Sequence, residues 1–482
     1  MAFDVVVIGA GPSGLAAAAR LAHFGVGVCL LEAHTRPGGL SSWHQVKGRE
    51  ISSGLHALTN YRPDGRSGPL GRLLRQLRLS HADLALRPQI RSSIRFPSAS
   101  LSFTNDPEYF RSLVAESFPG EIGGFDRFRR LVADTDEGEL TLRQTSARDI
   151  LAAHIKDPLL ADMLLCPVMF YGNPGGVGDG NDAARQAPDM DWLLFCVTWK
   201  CVFESGFAHP AHGMRPLWEA LIRRIRENGG EVRLGAEVAG LASEAGRVTA
   251  VRLISGEELT GKIFFSSAGA VETAALLGQE PDRPVGGVSV AEGVALLDGP
   301  ASEIGMADTV IFYSFSNRFS YGRPDGLVGE GNGVICATGN YAPIPGRAAE
   351  TNADPGCLKI TQLASFPAWS RLDADAYAAA KQKTAAGMAA ALARLKVELL
   401  AKGGSGHKRV APFDDLFTPM TLRRYARHSE AALYGSPVKT RAGAAFRDNL
   451  FLIGADQGFQ GIVGAMLSGV AMANLHVLKK NL

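Results

Sequence analysis

Three glycines near the start of the chain have the spacing of a phosphate-binding turn. Gly9, Gly11 and Gly14 form the pattern G-x-G-x-x-G. In such a turn the first glycine allows a sharp bend, the second leaves room for a pyrophosphate, and the third lets a helix approach a strand closely. Glu32 follows Gly14 by 18 positions. A carboxylate at this distance accepts hydrogen bonds from ribose hydroxyls and repels a 2′-phosphate, so these residues predict a dinucleotide site.

The elements around the glycines agree with this prediction. Residues 5–8 are a short run of β-branched residues, typical of a buried parallel strand, and an Ala-rich helix follows the glycines at once. A second apolar run, residues 26–31, ends on Glu32. Strand, glycine turn, helix, strand and acid is the order of a dinucleotide-binding βαβ unit. A glycine turn in an ordinary α/β unit is the alternative interpretation.

The end of the chain has a second strand–turn–helix pattern. Residues 449–453 predict a strand, Gly454-Ala455-Asp456 follows, and residues 461–478 predict an apolar helix. The first N–H groups of that helix, near Ile462 and Val463, would stabilise a negative charge at the helix N-terminus. A strand–turn–helix without a ligand is the alternative for this segment.

Residues 36–42, Arg-Pro-Gly-Gly-Leu-Ser-Ser, follow Glu32 closely. With them the sequence resembles the FAD-dependent amine oxidase and phytoene desaturase superfamily. Residues 418–421, 434–435 and 454–459 look most like its phytoene desaturase, carotenoid isomerase and retinol saturase branch. The resemblance implies an α/β fold with a Rossmann-like FAD-binding domain, glutathione-reductase-like and of the amine-oxidase type, interleaved with an α+β substrate domain. We expect the FAD-binding domain to comprise residues 1–60, 205–285 and 440–482, and the substrate domain, with a helical subregion, residues 61–204 and 286–439.

The resemblance also implies FAD as the cofactor and names the residues that would hold it. In this superfamily the glycine turns, the ribose-binding acid, a backbone group near Val238 and the final Gly-x-Asp with the helix after it surround the flavin nucleotide. The expected cofactor-binding residues are Gly9, Gly11, Pro12, Ser13, Gly14, Glu32, Ala33, Gly38, Gly39, Leu40, Gly54, Leu55, Val238, Gly454, Ala455, Asp456, Ile462 and Val463.

Gly54-Leu55-His56 resembles a family segment that passes the flavin edge. His56 is therefore the candidate catalytic residue, able to contact flavin or substrate. A single histidine is also often a hydrogen-bonded core residue, and this is the alternative interpretation.

The main functional hypothesis is an FAD-dependent oxidoreductase that acts on C–C bonds of a carotenoid or related polyisoprenoid. Desaturation would transfer a hydride to flavin N5, with oxygen or a quinone as the final acceptor; saturation and isomerisation are the related possibilities. A flavin amine oxidase is the first alternative, and it requires an aromatic cage, for which the C-terminal segment offers Phe459. A non-catalytic prenyl-lipid carrier, similar to the GDP-dissociation inhibitors, is the second.

Composition limits the class of protein. The chain has 482 residues, 46% hydrophobic and 20% charged, with a net charge of +2, too small to indicate nucleic-acid binding. Its six cysteines show neither a C-x-x-C nor a zinc-ligand pattern, so we expect a reducing, cytoplasmic setting and no metal. The N-terminus does not resemble a secretory signal, and no window is expected to reach the length of a membrane span. A lipid substrate would then be met by peripheral contact with the inner face of a membrane.

The middle of the chain predicts the substrate domain. Helices are expected over residues 70–79, after Asp106, over 125–132, 217–228 and 376–400; strands over 90–104, 231–238, 248–254, 259–265 and within 286–366. A loop is expected at residues 172–191. Residues 191–203 are almost entirely apolar, which indicates a buried helix or strand. Alternatively, Phe195, Trp199 and Phe203 form the wall of an apolar substrate tunnel.

Overall fold

The computed structural model describes residues 2–54, 56–136, 138, 145–172, 189–344, 356–399, 413–441, 443 and 445–479. These residues form two large sheets of different kinds, with helices packed on both, and two small two-stranded sheets. The strands are β1 Ala2–Ile8, β2 Val28–Glu32, β3 Trp43–Val46, β4 Arg49–Ser52, β5 Leu86–Pro88, β6 Ser92–Arg95, β7 Ser100–Phe103, β8 Ala208–Pro210, β9 Glu231–Leu234, β10 Val238–Glu244, β11 Arg247–Leu253, β12 Glu258–Ser266, β13 Ser289–Leu296, β14 Val310–Ser314, β15 Asn332–Ala337, β16 Cys357–Ala364, β17 Asp415–Phe417, β18 Ala445–Arg447 and β19 Leu450–Leu452.

The α-helices lie between and around these strands. They are α1 Pro12–His23, α2 Gly68–Gln76, α3 His81–Leu84, α4 Pro107–Ser117, α5 Ile122–Asp134, α6 Ala147–His154, α7 Pro158–Gly172, α8 Trp192–Trp199, α9 Arg215–Glu227, α10 Ala270–Leu276, α11 Phe366–Ser370, α12 Ala374–Arg394, α13 Pro419–Ala426 and α14 Gly461–Ala473.

The first sheet has a parallel centre. Its strands run in the order β10-β11-β12-β1-β2-β9, and β19 also pairs with β12. Strands β9, β2, β1, β12 and β19 are parallel to one another, whereas β10, β11 and β12 form an antiparallel meander. Helices α1, α9 and α14 share one hydrophobic cluster with this sheet. The parallel centre and its helices confirm the predicted Rossmann-like α/β fold.

The second sheet is mixed, as the sequence predicts for a substrate domain. Its order is β17-β13-β16-β15-β14-β6-β7, and all its pairs are antiparallel except β14 with β6. Strands from residues 92–103, 289–364 and 415–417 build it, so the chain leaves the first sheet and returns to it more than once. The exact domain boundaries stay a prediction.

Two predicted elements differ from the structure. The strand expected over residues 231–238 is interrupted: β9 ends at Leu234, Gly235 takes φ +72°, and Val238 begins β10. Gly235 N–H bonds to the His34 carbonyl (2.9 Å) and Ala236 N–H to that of Glu32 (2.8 Å), which turns the chain beyond β2. The expected helix over 376–400 ends at Arg394, because Lys396 has φ +61°. The expected loop at 172–191 lies mostly outside the described residues.

The apolar segment of residues 191–203 is a buried helix rather than a tunnel wall. It forms α8 and a π-helical turn, Lys200–Glu204. Phe195 and Trp199 are fully buried and Phe203 is 2% exposed. Their rings pack against other aromatic rings, including Phe110, which stacks on Phe203 with centroids 4.6 Å apart, and Phe128, edge-on to Trp199 at 5.0 Å. The tunnel-wall interpretation of these three residues is therefore wrong, since their faces are already filled.

The last helix corrects another expectation. Gly461–Leu478, which is α14 with the π-helical turn Asn474–Leu478, is long and apolar enough to cross a membrane by length and composition, with a mean hydropathy of 1.6. The expectation that no window reaches this length is wrong. In the structure 44% of this window is buried, and α14 packs on α1 in the core of the first sheet.

Candidate cofactor site

Several predicted site residues lie at one edge of the first sheet. Strands β1, β2, β12 and β19 are parallel, so their carboxyl ends meet at the same edge. Gly9 follows β1, Glu32 ends β2, Ser267 follows β12 and Gly454 lies two residues beyond β19. In doubly wound folds this edge is where nucleotides bind.

The three glycines of the first turn each have a distinct environment. Gly9 has φ +94°, a backbone conformation that residues with a side chain rarely adopt. A Cβ on Gly14 would stand 1.9 Å from the Gly9 carbonyl oxygen, so helix and strand approach as the motif requires. A Cβ on Gly11 would meet only the Ser267 Oγ, at 3.5 Å. The chain therefore leaves open space beside Gly11, where the motif places a pyrophosphate.

The first turn of α1 has no side-chain cap. Gly11 is the N-cap residue, Pro12 occupies the first turn, and the Ser13 hydroxyl pairs with the Ser267 hydroxyl at 2.9 Å rather than with the backbone. The first N–H groups of the helix thus remain directed outward. Uncapped N–H groups together with the positive end of the helix dipole favour a bound phosphate. Ser267 was not predicted, although its place directly after a strand of this sheet is a usable signal.

Glu32 holds the first glycine turn by hydrogen bonds and lies at the nucleotide edge of the first sheet. Glu32 is 8% exposed; its Oε2 accepts a hydrogen bond from Ala10 N–H at 2.7 Å and its Oε1 one from His34 N–H at 2.9 Å. A carboxylate has about four lone-pair positions, so Glu32 retains capacity for ribose hydroxyls. The bond from Ala236 N–H to the Glu32 carbonyl places Val238, two residues on, close to the same strand end.

The second glycine turn lies on the first. Gly38 and Gly39 have φ of +105° and +54°, and Gly38 N–H bonds to the Ala10 carbonyl at 2.8 Å. A Cβ on Gly39 would stand 3.3 Å from the Gly11 Cα, and one on Gly54 would stand 3.0 Å from the Leu40 carbonyl oxygen. The structure therefore brings the residues predicted from 9–14, 38–40 and 54 together, while Leu55 lies outside the described residues.

The C-terminal turn reaches the same place. Gly454 has φ +97°, its N–H bonds to the Ser468 hydroxyl at 2.7 Å, and a Cβ on it would stand 3.0 Å from the Ser13 Oγ. Ala455 begins a 3₁₀ turn, and Ile462 and Val463 lie in the first turn of α14. No side chain caps α14, so a second uncapped helix N-terminus follows this turn.

Asp456 is held by protein groups. It is 3% exposed, and its carboxylate accepts hydrogen bonds from Ala270 N–H at 2.6 Å and Ser436 N–H at 2.7 Å. The buried Lys439 ammonium lies 3.5 Å from Oδ1. Burial lowers the pKa of Lys439 to about 8, against the opposing attraction of Asp456. Asp456 thus ties together segments that are distant in the sequence, a structural role that the motif does not indicate; its contact with a cofactor stays a prediction.

His56 packs against the second sheet. Its Nε2 is 3.0 Å from Thr361 Oγ1 on β16 and 3.3 Å from Glu292 Oε2 on β13. Its Nδ1 is buried and has no hydrogen-bond partner in the described part of the chain. Thr361, Glu292 and the neighbouring Lys359 were not predicted. The signal for them is a charged residue inside an otherwise apolar strand, as in residues 289–296 and 357–364.

Near the N-terminus of α14, two side chains have buried polar atoms without a hydrogen-bond partner among the described residues. They are the Tyr171 hydroxyl, near the end of α7, and both amide atoms of Gln460, directly before α14. A Cβ on Gly172 would stand 2.9 Å from the Gln460 Cβ, so the two helix ends meet. An unpaired buried polar group costs about 1–3 kcal/mol, so a ligand that formed hydrogen bonds with these atoms would be stabilised here.

The sequence pattern of flavin containing amine oxidoreductases matches residues 12–270 of this chain. The chain belongs to this family. Membership confirms a flavin cofactor, in agreement with the two uncapped helix N-termini and the open space at Gly11.

Curated relatives confirm the resemblance to the desaturase and isomerase branch. The chain is 24% identical over 313 residues to the chloroplastic prolycopene isomerase of Daucus carota, covering 58% of this chain and 48% of the relative. It is 27% identical over 293 residues to the lycopene-forming phytoene desaturase of Pseudescherichia vulneris, with coverage of 57% and 58%. It is also 27% identical over 309 residues to the hydroxyneurosporene desaturase of Rhodobacter capsulatus, again with 57% and 58%. The chain spans about half the length of the curated relatives it matches.

Solved structures with a similar fold cover nearly the whole chain. An oxidoreductase from Methanosarcina mazei is 16% identical with a TM-score of 0.62, covering 98% of this chain and 99% of its own. A putrescine oxidase variant is 16% identical with a TM-score of 0.59 and 99% coverage of both chains. A Rab GDI from Plasmodium falciparum is 13% identical with a TM-score of 0.53 and 98% coverage of both. At these identities the likeness concerns the fold, and it confirms the predicted class.

Proposed function

We propose that the protein is an FAD-dependent oxidoreductase that acts on C–C bonds of a carotenoid or related apolar polyisoprenoid, by desaturation or by the related saturation or isomerisation. The observation that carries the proposal is the junction of the two sheets. There Gly54 packs on the second glycine turn, while Ser52 and His56 bond to β16 of the second sheet. The relatives that match the chain are named as carotenoid desaturases and an isomerase.

FAD fits the residues at this edge. The first turn of α1 and the space beside Gly11 suit the pyrophosphate, Glu32 suits the adenosine ribose, and the N-terminus of α14 suits the negative edge of a reduced flavin. When bound, the flavin would supply the hydride acceptor. The residues of the chain would bind and orient the nucleotide.

The buried charges favour a neutral substrate over an amine. An ammonium substrate needs a carboxylate that is not already neutralised. Among the described residues, four buried carboxylates pair with Arg or Lys: Asp162, Glu292, Asp308 and Asp456. The other two, Glu32 and Asp189, accept backbone N–H groups.

The aromatic ring suggested for an amine cage is also occupied. The Arg441 guanidinium carbon lies 5.0 Å from the centroid of Phe459, over its ring. A cation therefore already covers one face of this ring, which leaves less of it for a substrate ammonium. This contact supports the polyisoprenoid proposal over the amine oxidase alternative.

An apolar polyisoprenoid resides in the bilayer, so the proposal includes a cytoplasmic enzyme in peripheral contact with the inner face of a membrane. Electrons would pass to oxygen or a quinone. These parts of the proposal follow from the chemistry of the substrate.

The test is anaerobic mixing of the purified yellow holoprotein with acyclic carotenoids in liposomes. We expect the flavin absorption to bleach when the acceptor is withheld and the carotenoid spectrum to shift at the same time. A spectral shift of the carotenoid with only transient bleaching would instead indicate isomerisation. Absorption spectra recorded in parallel with simple amines serve as the control.

Two results would contradict the proposal. Protein purified without any flavin, and unable to take up FAD, would favour a lipid carrier. Bleaching by simple amines with no response to carotenoids would favour the amine oxidase.

A further inference from the structure

His56 belongs to a buried network on one face of the second sheet. Glu292 of β13 lies directly opposite Thr361 of β16, and Lys359 is two residues before Thr361 on the same face. The Thr361 hydroxyl donates to Glu292 Oε2 at 2.9 Å, and the Lys359 ammonium lies 3.3 Å from Glu292 Oε1. The imidazole of His56 rests on this network.

The network fixes the tautomer of His56. The hydroxyl proton of Thr361 is directed at Glu292, so the Thr361 oxygen can only accept from His56 Nε2. Nε2 also faces the Glu292 carboxylate, which repels a lone pair and attracts an N–H. Neutral His56 therefore carries its proton on Nε2 and its lone pair on Nδ1.

Lys359 keeps Glu292 charged. Burial alone would raise the pKa of the Glu292 carboxyl, but Lys359 and the hydrogen bonds from His56 and Thr361 hold that pKa well below its usual range. Burial likewise opposes the charge of Lys359, yet the attraction of Glu292 raises its pKa. Both groups are thus charged at neutral pH, and Glu292 is a permanent acceptor for His56 Nε2–H.

The backbone of His56 is also held, by contacts to its carbonyl oxygen. The Tyr341 hydroxyl donates to the His56 carbonyl at 2.5 Å, and Cys336 Sγ lies 3.4 Å from the same oxygen. Lys359 donates to the Ser52 carbonyl at 2.6 Å, four residues earlier. The unpaired Nδ1 is held in a fixed position two residues from Gly54, which packs on the second glycine turn.

We propose that His56 Nδ1 is the proton acceptor of the reaction and that Glu292, with Thr361, is the positioning pair that keeps its lone pair available. This inference rests on the proposed function. In desaturation one carbon of the substrate loses a hydride, for which a bound flavin would be the acceptor and the oxidant. The substrate loses a proton from the neighbouring carbon to Nδ1, and the electron pair of that C–H bond becomes the second bond of the new C=C. Glu292 stabilises the imidazolium that results, and the proton then leaves to solvent.

The neighbouring histidine cannot take this role. His209 of β8 is buried, and burial lowers its pKa to about 3. It would therefore bind a proton only weakly at neutral pH. The titratable groups that face His56 are Glu292, Lys359, His209, Tyr341 and Cys336.

The first test measures the tautomer without substrate. In holoprotein labelled with ¹⁵N-histidine, long-range ¹H–¹⁵N spectra at alkaline pH should show His56, assigned by its loss in His56→Gln, with the proton on Nε2. Glu292→Gln should convert this into a mixture of tautomers. The matched control is Asp415→Asn, which changes the carboxylate 3.4 Å from His44 Nε2 and should leave the His56 signals unchanged.

Glu292→Gln leaves the buried Lys359 ammonium without its carboxylate partner, so this variant could fail to fold. A second variant is therefore needed. Glu292→Gln/Lys359→Met removes both buried charges and should give the same mixture of tautomers. A proton on Nδ1 in the wild type, or one unchanged tautomer in both variants, would overturn the positioning role. Neither result depends on which substrate the protein uses.

The second test measures the rate of flavin reduction by the substrate. His56→Gln should slow it about 10²- to 10⁴-fold, the usual range for a general base, with flavin content unchanged. Added imidazole should restore part of the rate in this variant. Unchanged rates in His56→Gln, in a protein whose wild type does reduce its flavin with carotenoids, would overturn the proton-acceptor role and leave the proposed function intact.

Discussion

Gly469 of α14 rests directly on the main chain of Ser13 in α1. A Cβ on Gly469 would stand 2.0 Å from the Ser13 carbonyl oxygen. This backbone contact near the start of α1 joins segments more than 450 residues apart in the sequence. Through it the first glycine turn and the C-terminal turn at Gly454 share one edge of the sheet.

Gly469→Ala should therefore destabilise the protein strongly. The added methyl group meets backbone, which cannot move aside, and overpacking of a close-packed contact typically costs about 1–3 kcal/mol. Thermal or denaturant unfolding measures the change. Gly123→Ala is the matched control, because Gly123 lies at the surface in α5 and its Cβ would meet only the end of Arg127, at 3.6 Å. Equal effects of the two substitutions would contradict the contact.

Gly11→Ala should separate cofactor binding from folding. Its Cβ would have only the Ser267 Oγ within 4 Å, at 3.5 Å, and the φ of Gly11 is −69°, so the fold accepts alanine. The methyl group would occupy the space beside the first turn of α1 that suits the pyrophosphate. We expect flavin content to fall several-fold while the unfolding of the flavin-free protein is unchanged.

Gly14→Ala gives the opposite result in the same turn. Its Cβ would stand 1.9 Å from the Gly9 carbonyl oxygen, so the flavin-free protein itself should lose stability. Flavin absorbance per protein and unfolding of the flavin-free form are measured for both variants. Full flavin content in Gly11→Ala would show that the phosphates bind elsewhere.

The site at the sheet edge could be predicted largely from local sequence. Gly9, Gly11 and Gly14 carry a backbone requirement in their own residue type, and Glu32 follows at a fixed spacing. Such signals survive without knowledge of tertiary contacts. The last strand and α14 were predicted for the same reason, because strand, Gly-x-Asp and apolar helix follow one another directly.

The groups that act from a distance could not be predicted in this way. Glu292 and Thr361 face each other only through the register of β13 and β16, and His56 reaches them across more than 230 residues. The partner of Asp456 is Lys439, whose burial depends on packing that no local pattern encodes. The tunnel interpretation of Trp199 failed for a similar reason, since an apolar run does not reveal whether its neighbours fill or line a space.

The packing of Trp199 leads to a prediction that distinguishes a buried core residue from a residue of a tunnel wall. Trp199 is fully buried and its ring contacts those of Phe128 and Phe203, at 5.0 and 4.5 Å between centroids. Trp199→Ala should cost about 3–5 kcal/mol in the free energy of unfolding, as for other buried aromatic residues. Denaturant unfolding measures this cost. A residue lining an empty tunnel would instead lose little stability and would change substrate binding.

The buried pair of Lys439 and Asp456 predicts how stability depends on pH. The pKa of Lys439 is about 8 in the folded protein and 10.5 in the unfolded chain. Between these two pH values the unfolded chain therefore binds more protons than the folded protein. The contribution of Lys439 to the free energy of unfolding therefore rises with pH across this window. Since a difference of about 2.5 in pKa corresponds to about 3 kcal/mol, this is the upper limit of the rise.

Lys439→Met removes this slope. Methionine fills the same buried space without a charge, and Asp456 keeps its hydrogen bonds from Ala270 and Ser436. The free energy of unfolding of the wild type minus that of the variant should increase between pH 7 and pH 10, as measured by denaturant titration at each pH. The matched control is Lys262→Met, because Lys262 pairs with Asp4 on the exposed surface. A difference for Lys439→Met that is flat, or that falls with pH, would show that Lys439 keeps its proton throughout this range.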